Sequence, residues 1–493
     1  MRSSGVLMHM SSLPSPYGIG TMGKQAKQFV DFLEKAGQTY WQMLPICPTS
    51  YGDSPYQSPS GFAGNPYFID LDILCTKKLL KKSECRSYQW NVKDDTVDYA
   101  LLYENRYDLL RKAKVRFFEN VPQEYWQFCE KEADWLDDFA LFMALKEAHN
   151  GAQWSEWERP LKFREAEAIA KAKDTYADEI DFWKMLQYLC FEQWCELKNY
   201  ANERGIRIIG DVPIYVAGDS VDVWTNPSQF YLDENLEPID VAGCPPDAFS
   251  ADGQLWGNPL FRWDVMREDG YSWWTMRLRK MSTLYDVIRI DHFRGFDSYY
   301  AIPGKDTTAR NGVWRNGPGM ELFRAVEEKL GKPDIIVEDL GFLTPSVLQL
   351  VADSGYPGMK VVQFAFDSRD DSDYMPHNYD KHCVVYTGTH DNDTILGWMK
   401  QAPKNSVKKA KEYLRMTKEE GYNWGMMCGA WMSSANLAVV TMQDLIGLGS
   451  SARMNVPSTL GGNWTWRALP GQINAPLANK LHHKTELYGR LRR

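Results

Sequence analysis

Eight times in this chain a short apolar run ends in a polar cluster, and that repetition narrows the possible folds more than any other feature. The runs are GVLMHMSS (5–12), YWQMLPI (40–46), IRIIGDVPIYV (206–216), DVIRIDHF (286–293), DIIVEDLG (334–341), MKVVQFAFD (359–367), CVVYTGTHDND (383–393) and LAVVTMQDL (437–445). Continuous apolar runs of this length suit strands of a parallel sheet that is buried on both faces. Helical patterns lie between several of them. Ala26, Phe29, Val30 and Leu33 share one face and are followed by Gly37; Leu322, Phe323, Val326 and Leu330 repeat the device before Gly331. The stretch 181–204 reads as a long amphipathic helix leading into the third run. Eight strands alternating with helices predict an α/β chain folded as a (β/α)8 TIM barrel.

The spacing is uneven. Segments 48–205 and 217–285 are too long for plain connections, so they read as large, mostly helical insertions at the C-terminal mouth of a single catalytic barrel spanning 1–493. A separate domain at about 70–180 is the alternative. The short remainder after the eighth run leads us to expect no C-terminal β-sandwich.

Composition excludes some partners. A formal net charge of −9 argues against a general binder of nucleic acid or anionic membrane. No apolar run approaches the ~20 residues needed to span a bilayer. Nine cysteines are scattered singly without a CxxC pair, which points to a reducing cytoplasm and away from structural zinc. Aromatic residues make up 13% of the chain, and many sit in loops such as SPYQSPSGFAGNPYF, GQLWGNPLFRW and GGNWTWR. Flat rings beside polar loop residues suit a ligand with apolar faces and polar edges, as a sugar has.

In a barrel the polar residues at the C-terminal strand ends converge on one mouth, where the chemistry takes place. Asp211 ends the third run, Asp291 the fourth, Glu338 and Asp339 the fifth, and His390 and Asp391 the seventh. Arg289, two residues before Asp291, points to the same face of its strand and can hold Asp291 ionised as a nucleophile. Glu338 has no adjacent cation in sequence, which suits a proton donor. One ionised and one protonated carboxyl, ~5–5.5 Å apart, is the arrangement for retaining glycoside chemistry. Asp391, with His390, could bond sugar hydroxyls and strengthen its hold as positive charge develops at the anomeric carbon. A divalent-metal site is the competing reading, which Arg289 disfavours by occupying the same carboxylates; the eight histidines show no HxH or HExxH spacing for zinc. Asp339 and Asp393 read as turn or cap residues.

Motifs spread along the chain resemble the amylomaltases, or 4-α-glucanotransferases, of glycoside hydrolase family 77. They are SSLPSPYGIG (11–20), SPYQSPSGFAGNPY (54–67), GDVPIYV (210–216), GCPPDAFSADGQLWGNP (243–259), RIDHFRGF (289–296), VEDLG (337–341), YTGTHDNDT (386–394) and ARMNVPSTLGGNWTWR (452–467). The resemblance implies a retaining barrel enzyme acting on α-1,4-glucans, maltooligosaccharides or amylose, as both donor and acceptor. It implies Asp291 as nucleophile, Glu338 as acid/base and Asp391 as the transition-state carboxylate. Arg289, His390 and Asp211 would line the donor site, with Tyr56 stacking under the sugar. Ser54 and His292 join the substrate-binding set. Gln254 and Trp256 would face the glucan from a covering loop at 243–259, and Asn463 would reach the acceptor. No metal or organic cofactor is implied, and the expected state is a monomer or weak homo-oligomer. An α-1,4-glucan hydrolase with the same triad stays open as the alternative.

Overall fold

All eight runs become the strands of one closed parallel barrel: Ser3–Leu7, Tyr40–Gln42, Arg207–Val212, Val287–Ile290, Ile335–Val337, Gly358–Val361, Cys383–Tyr386 and Leu437–Thr441. The computed structural model describes residues 2–50, 52–246, 251–341, 343–366 and 372–492. Asp367 of the sixth run and 247–250 of the loop at 243–259 lie outside the described residues. Each strand pairs in register with its sequence neighbour around the barrel, and the first closes on the eighth from Ser3↔Leu437 to Leu7↔Thr441.

The reason for the continuous apolar runs is visible in where alternate residues go. Leu7, Ile209, Val287, Ile336, Val384 and Val439 fill the barrel interior. Their neighbours Val6, Ile208, Ile288, Ile335, Val385 and Val440 belong to the outer core against the helices. A strand with both faces buried cannot show polar alternation.

The helical patterns hold as well. Lys24–Lys35 buries Ala26, Phe29, Val30 and Leu33, and Met320–Leu330 buries Leu322, Phe323 and Val326. Gly37 and Gly331 follow with φ of 68° and 74°, in the left-handed region that glycine occupies without strain. The long helix is Ala177–Glu203; it brings the chain to the third strand and packs against Ala133–Ala148. Between strands two and three the chain is helical, including Tyr99–Glu119 and Gln123–Lys131. Its aromatic residues mostly pack there, with Trp90, Tyr125, Trp135, Trp154 and Trp157 buried.

The segment 217–285 is more mixed than the helical reading foresees. It carries the helices Val221–Thr225, Trp263–Glu268 and Ser272–Leu284 and two strands, Asp240–Cys244 and Gln254–Pro259. Those strands join Ser298–Pro303 and Val313–Asn316 in a four-stranded antiparallel sheet beside the barrel. Asp240–Cys244 pairs across the sheet with Ser298–Pro303, which lies beyond the fourth barrel strand. A pairing so distant, through short strands that contain Gly243 and Gly257, leaves little trace in local periodicity.

Candidate active site

Strands three and four place Asp211 and Arg289 as direct register partners. Arg289 Nη1 donates to both Asp211 oxygens, at 2.7 and 2.6 Å, and lies 3.0 Å from Asp291 Oδ1. The Arg289 and Asp211 side chains are 4% and 0% exposed. A buried pair holds only if its remaining bonding capacity is met. Tyr56 Oη donates to Asp211 Oδ2 at 2.8 Å, and Arg289 Nε contacts Met359 Sδ at 3.4 Å. Burial works to lower the Arg289 pKa, but Asp211 and Asp291 together hold it well above its ordinary value. The charge inside the fourth strand is thus met by Asp211 on the third strand and by Asp291 just past its own end.

Asp291 and Glu338 extend the ladder one step past their strands. Asp291 N–H donates to the Val212 carbonyl at 3.0 Å and Glu338 N–H to the Ile290 carbonyl at 2.9 Å. His292 then takes a left-handed conformation, φ 51°, and its N–H donates to Glu338 Oε2 at 2.7 Å. Leu340 N–H donates to Glu338 Oε1 at 2.9 Å. Burial raises both carboxyls. Asp291 rises to about 6, with Arg289 opposing the rise. Glu338 rises to about 8, because the Asp291 charge adds to burial and outweighs Arg289 and the two N–H donors. The pair therefore titrates in two steps and carries a single proton at neutral pH. Asp339 serves a structural role: it is buried, and its Oδ1 accepts Met359 N–H at 2.6 Å on the neighbouring strand.

Asp391 sits on the loop after strand seven with its side chain 44% exposed. Asn455 Nδ2 donates to its Oδ1 at 2.6 Å, and His390 Nε2 lies 3.4 Å from its Oδ2. Arg453 Nη2 donates to its backbone carbonyl at 2.5 Å. The buried His390 ring stacks on Tyr56, with centroids 5.1 Å apart and planes at 17°, and Trp464 leans on both. Four carboxylates, Asp211, Asp291, Glu338 and Asp391, thus line one mouth with Arg289, His390 and Tyr56.

A family model described as 4-alpha-glucanotransferase (glycoside hydrolase family 77) matches residues 8–471. The chain belongs to that family. It is 50% identical to a 4-alpha-glucanotransferase of Clostridium butyricum over 98% of this chain and 100% of the relative. Identity with a 4-alpha-glucanotransferase of Thermus thermophilus is 47%, over 99% of each chain. The amylomaltase of Streptococcus agalactiae, solved in complex with acarbose, superposes with a TM-score of 0.98 at 41% identity, covering 100% of both chains. The enzyme class implied by the motifs, a 4-α-glucanotransferase, follows with the family.

The remaining expected residues of this glucanotransferase divide into two groups. Trp256 reaches the mouth: its ring meets the His292 ring edge-on at 4.8 Å, and its Nε1 donates to Gln254 Oε1 at 3.1 Å. Burial lowers the His292 pKa to about 3, so this imidazole stays neutral. Gln57 Nε2 donates to Asn258 Oδ1 at 3.2 Å and ties the Tyr56 loop to the strand that carries Trp256. Ser54 and Asn463 bond instead within their own loops. Ser54 Oγ accepts the Tyr56 N–H at 3.2 Å and so orients Tyr56. Asn463 Oδ1 accepts Val456 N–H at 3.0 Å while its Nδ2 donates to the Thr459 carbonyl and hydroxyl, both at 3.1 Å. Its amide braces a loop rather than standing free for a ligand. Trp464, Asn455 and Arg453 escaped residue-level assignment; the motif ARMNVPSTLGGNWTWR contains all three and was the available signal.

Proposed function

We propose that this transferase moves α-1,4-glucan segments by a retaining double displacement carried by Asp291, Glu338 and Asp391. An Asp291 oxygen attacks the anomeric carbon while protonated Glu338 gives its proton to the glycosidic oxygen. The bond to the leaving glucan breaks, and the donor segment is left esterified to Asp291. Glu338, now a carboxylate, takes the proton from the 4-hydroxyl of an incoming glucan, whose oxygen attacks the same carbon and frees Asp291. Asp391 stabilises the positive charge that develops at that carbon, and Tyr56 with His390 forms the stacked floor under the sugar. The steps require no metal or organic cofactor.

The observation that supports this reading best is the unequal setting of the two carboxyls: Arg289 Nη1 stands 3.0 Å from Asp291 Oδ1, whereas Glu338 accepts the main-chain N–H groups of His292 and Leu340, and burial together with the Asp291 charge raises its pKa. One is ionised and the other protonated at neutral pH, as nucleophile and acid must be. The nine cysteines, all free thiols, support a reducing compartment such as the cytoplasm. Among the described residues, no helix is long and apolar enough to cross a membrane.

The test incubates the enzyme with maltotriose and resolves products over time. Glucose together with maltopentaose and longer chains, with little gain in reducing ends, is the expected result. Rising reducing ends without longer products would mean that water replaces the sugar acceptor. For the residue roles, a Glu338→Ala enzyme given α-maltosyl fluoride and azide should form α-maltosyl azide, because azide attacks without a general base. A β-linked azide would rule out the glycosyl-enzyme.

A further inference from the structure

Asp391 is the least supported carboxylate of the site. It lies on a loop rather than a strand, 44% of its side chain is exposed, and its own N–H finds Thr389 Oγ1 at 3.3 Å. A carboxylate that must meet charge at one carbon needs its orientation fixed to within ~0.5 Å. The loop after the eighth strand supplies that constraint. Arg453 bridges the two segments, with Nη2 on the Asp391 carbonyl at 2.5 Å and Nε on the Asn455 carbonyl at 2.8 Å. Asn455 N–H donates to the His390 carbonyl at 3.1 Å. These bonds join main chain to main chain, or main chain to the guanidinium, and leave the carboxylate free to turn. Among the described residues, one bond reaches it at hydrogen-bonding distance: Asn455 Nδ2 to Asp391 Oδ1, 2.6 Å, while His390 Nε2 stands off at 3.4 Å from the other oxygen.

We propose that Asn455 is the positioning residue of Asp391, fixing the direction of its carboxylate through the side-chain amide. This rests on the reading of Asp391 as the charge-stabilising carboxylate. The residue type fits the task. An amide donates a hydrogen bond without bringing a charge, so it orients the carboxylate and leaves the negative charge for the sugar. A lysine or arginine at the same distance would neutralise part of it.

The experiment is a double-mutant cycle with maltotriose as substrate. Asn455→Ala should lower kcat on the order of tenfold to a hundredfold. KM should stay within about threefold of the parent, since the amide acts on orientation and not on ground-state binding. Melting should barely move, because the Arg453 bonds and the Asn455 N–H remain. In an Asp391→Asn background the same Asn455→Ala change should cost nothing further in kcat, since the group it orients is gone. Equal losses in both backgrounds would make Asn455 a structural residue and overturn the proposal, as would an Asn455→Ala enzyme with unchanged kcat. Asn455→Leu, of similar size and without the donor, repeats the test if the alanine variant folds poorly. An Asp391→Asn enzyme that kept full activity would instead remove the role of Asp391 itself, and would show as such before the cycle is read.

Discussion

Asp291 and Glu338 begin as ordinary carboxyls, and it is the barrel mouth that separates them. Burial raises each, Arg289 restrains both, and the charge on Asp291 pushes Glu338 further, giving about 6 and about 8. The proposed mechanism needs Asp291 ionised and Glu338 protonated. The kcat/KM profile should therefore rise as pH passes about 6 and fall as it passes about 8, measured with maltotriose across pH 4 to 10. A profile flat through pH 8 would contradict the acid role of Glu338. Stability carries the same information with a definite sign. The folded pKa of Glu338 lies above its ordinary value of 4.5, so its contribution is fully present below pH 4.5 and is lost as pH rises through about 8. Glu338→Gln should match the parent in melting temperature at pH 4 and exceed it at pH 9, while losing transfer activity. These carboxylates were legible in the sequence because strand ends in a barrel converge whatever lies between them. Asn455 was not, since nothing local in MNVPS shows that its amide will meet a carboxylate 64 positions earlier in the chain.

At the scale of elements, legibility follows burial on both faces. All eight barrel strands show as apolar runs, because most of their residues enter either the interior or the outer core. The antiparallel sheet of Asp240–Cys244, Gln254–Pro259, Ser298–Pro303 and Val313–Asn316 does not, because outer strands such as Val313–Asn316 are largely exposed and their partners are distant in sequence. The loop 456–463 was legible as a motif, while its internal bonding was not. Its amide brace, Asn463, holds the base from which Trp464 leans on Tyr56 and His390. Removing the brace with Asn463→Ala should loosen that aromatic floor and raise KM for the donor several-fold, with a smaller change in kcat. If Asn463 instead held the acceptor, the variant would show a raised KM for added glucose as acceptor and an unaltered donor KM. Separate variation of maltotriose and glucose distinguishes the two.

The whole molecule keeps catalysis and cohesion at opposite ends of the same strands. The mouth residues follow the C-terminal ends, while the seam between the first and eighth strands is secured near their N-terminal ends by Arg490. That side chain is fully buried and donates to the carbonyls of Trp431 at 2.7 Å, Ser3 at 2.9 Å and Ser433 at 3.1 Å. Arg2 adds its own bonds to the carbonyls of Trp431 and Ser433. Bottom-face contacts of a barrel serve stability, and top-face residues serve chemistry. Arg490→Ala removes these three bonds at once: the Trp431 and Ser433 carbonyls keep Arg2, the Ser3 carbonyl loses its guanidinium donor at ~1–3 kcal/mol for a buried group left unpaired, and a cavity opens at the seam. The expected result is a loss of several kcal/mol of stability, read as a much shorter half-life of thermal inactivation, with kcat at 25 °C close to the parent. Arg490→Lys should recover part of the half-life, because one ammonium cannot span the three carbonyls that the guanidinium reaches. A variant whose kcat fell in step with its stability would mean that the seam transmits strain to the mouth. The separation of the two ends would then fail as a description of this barrel.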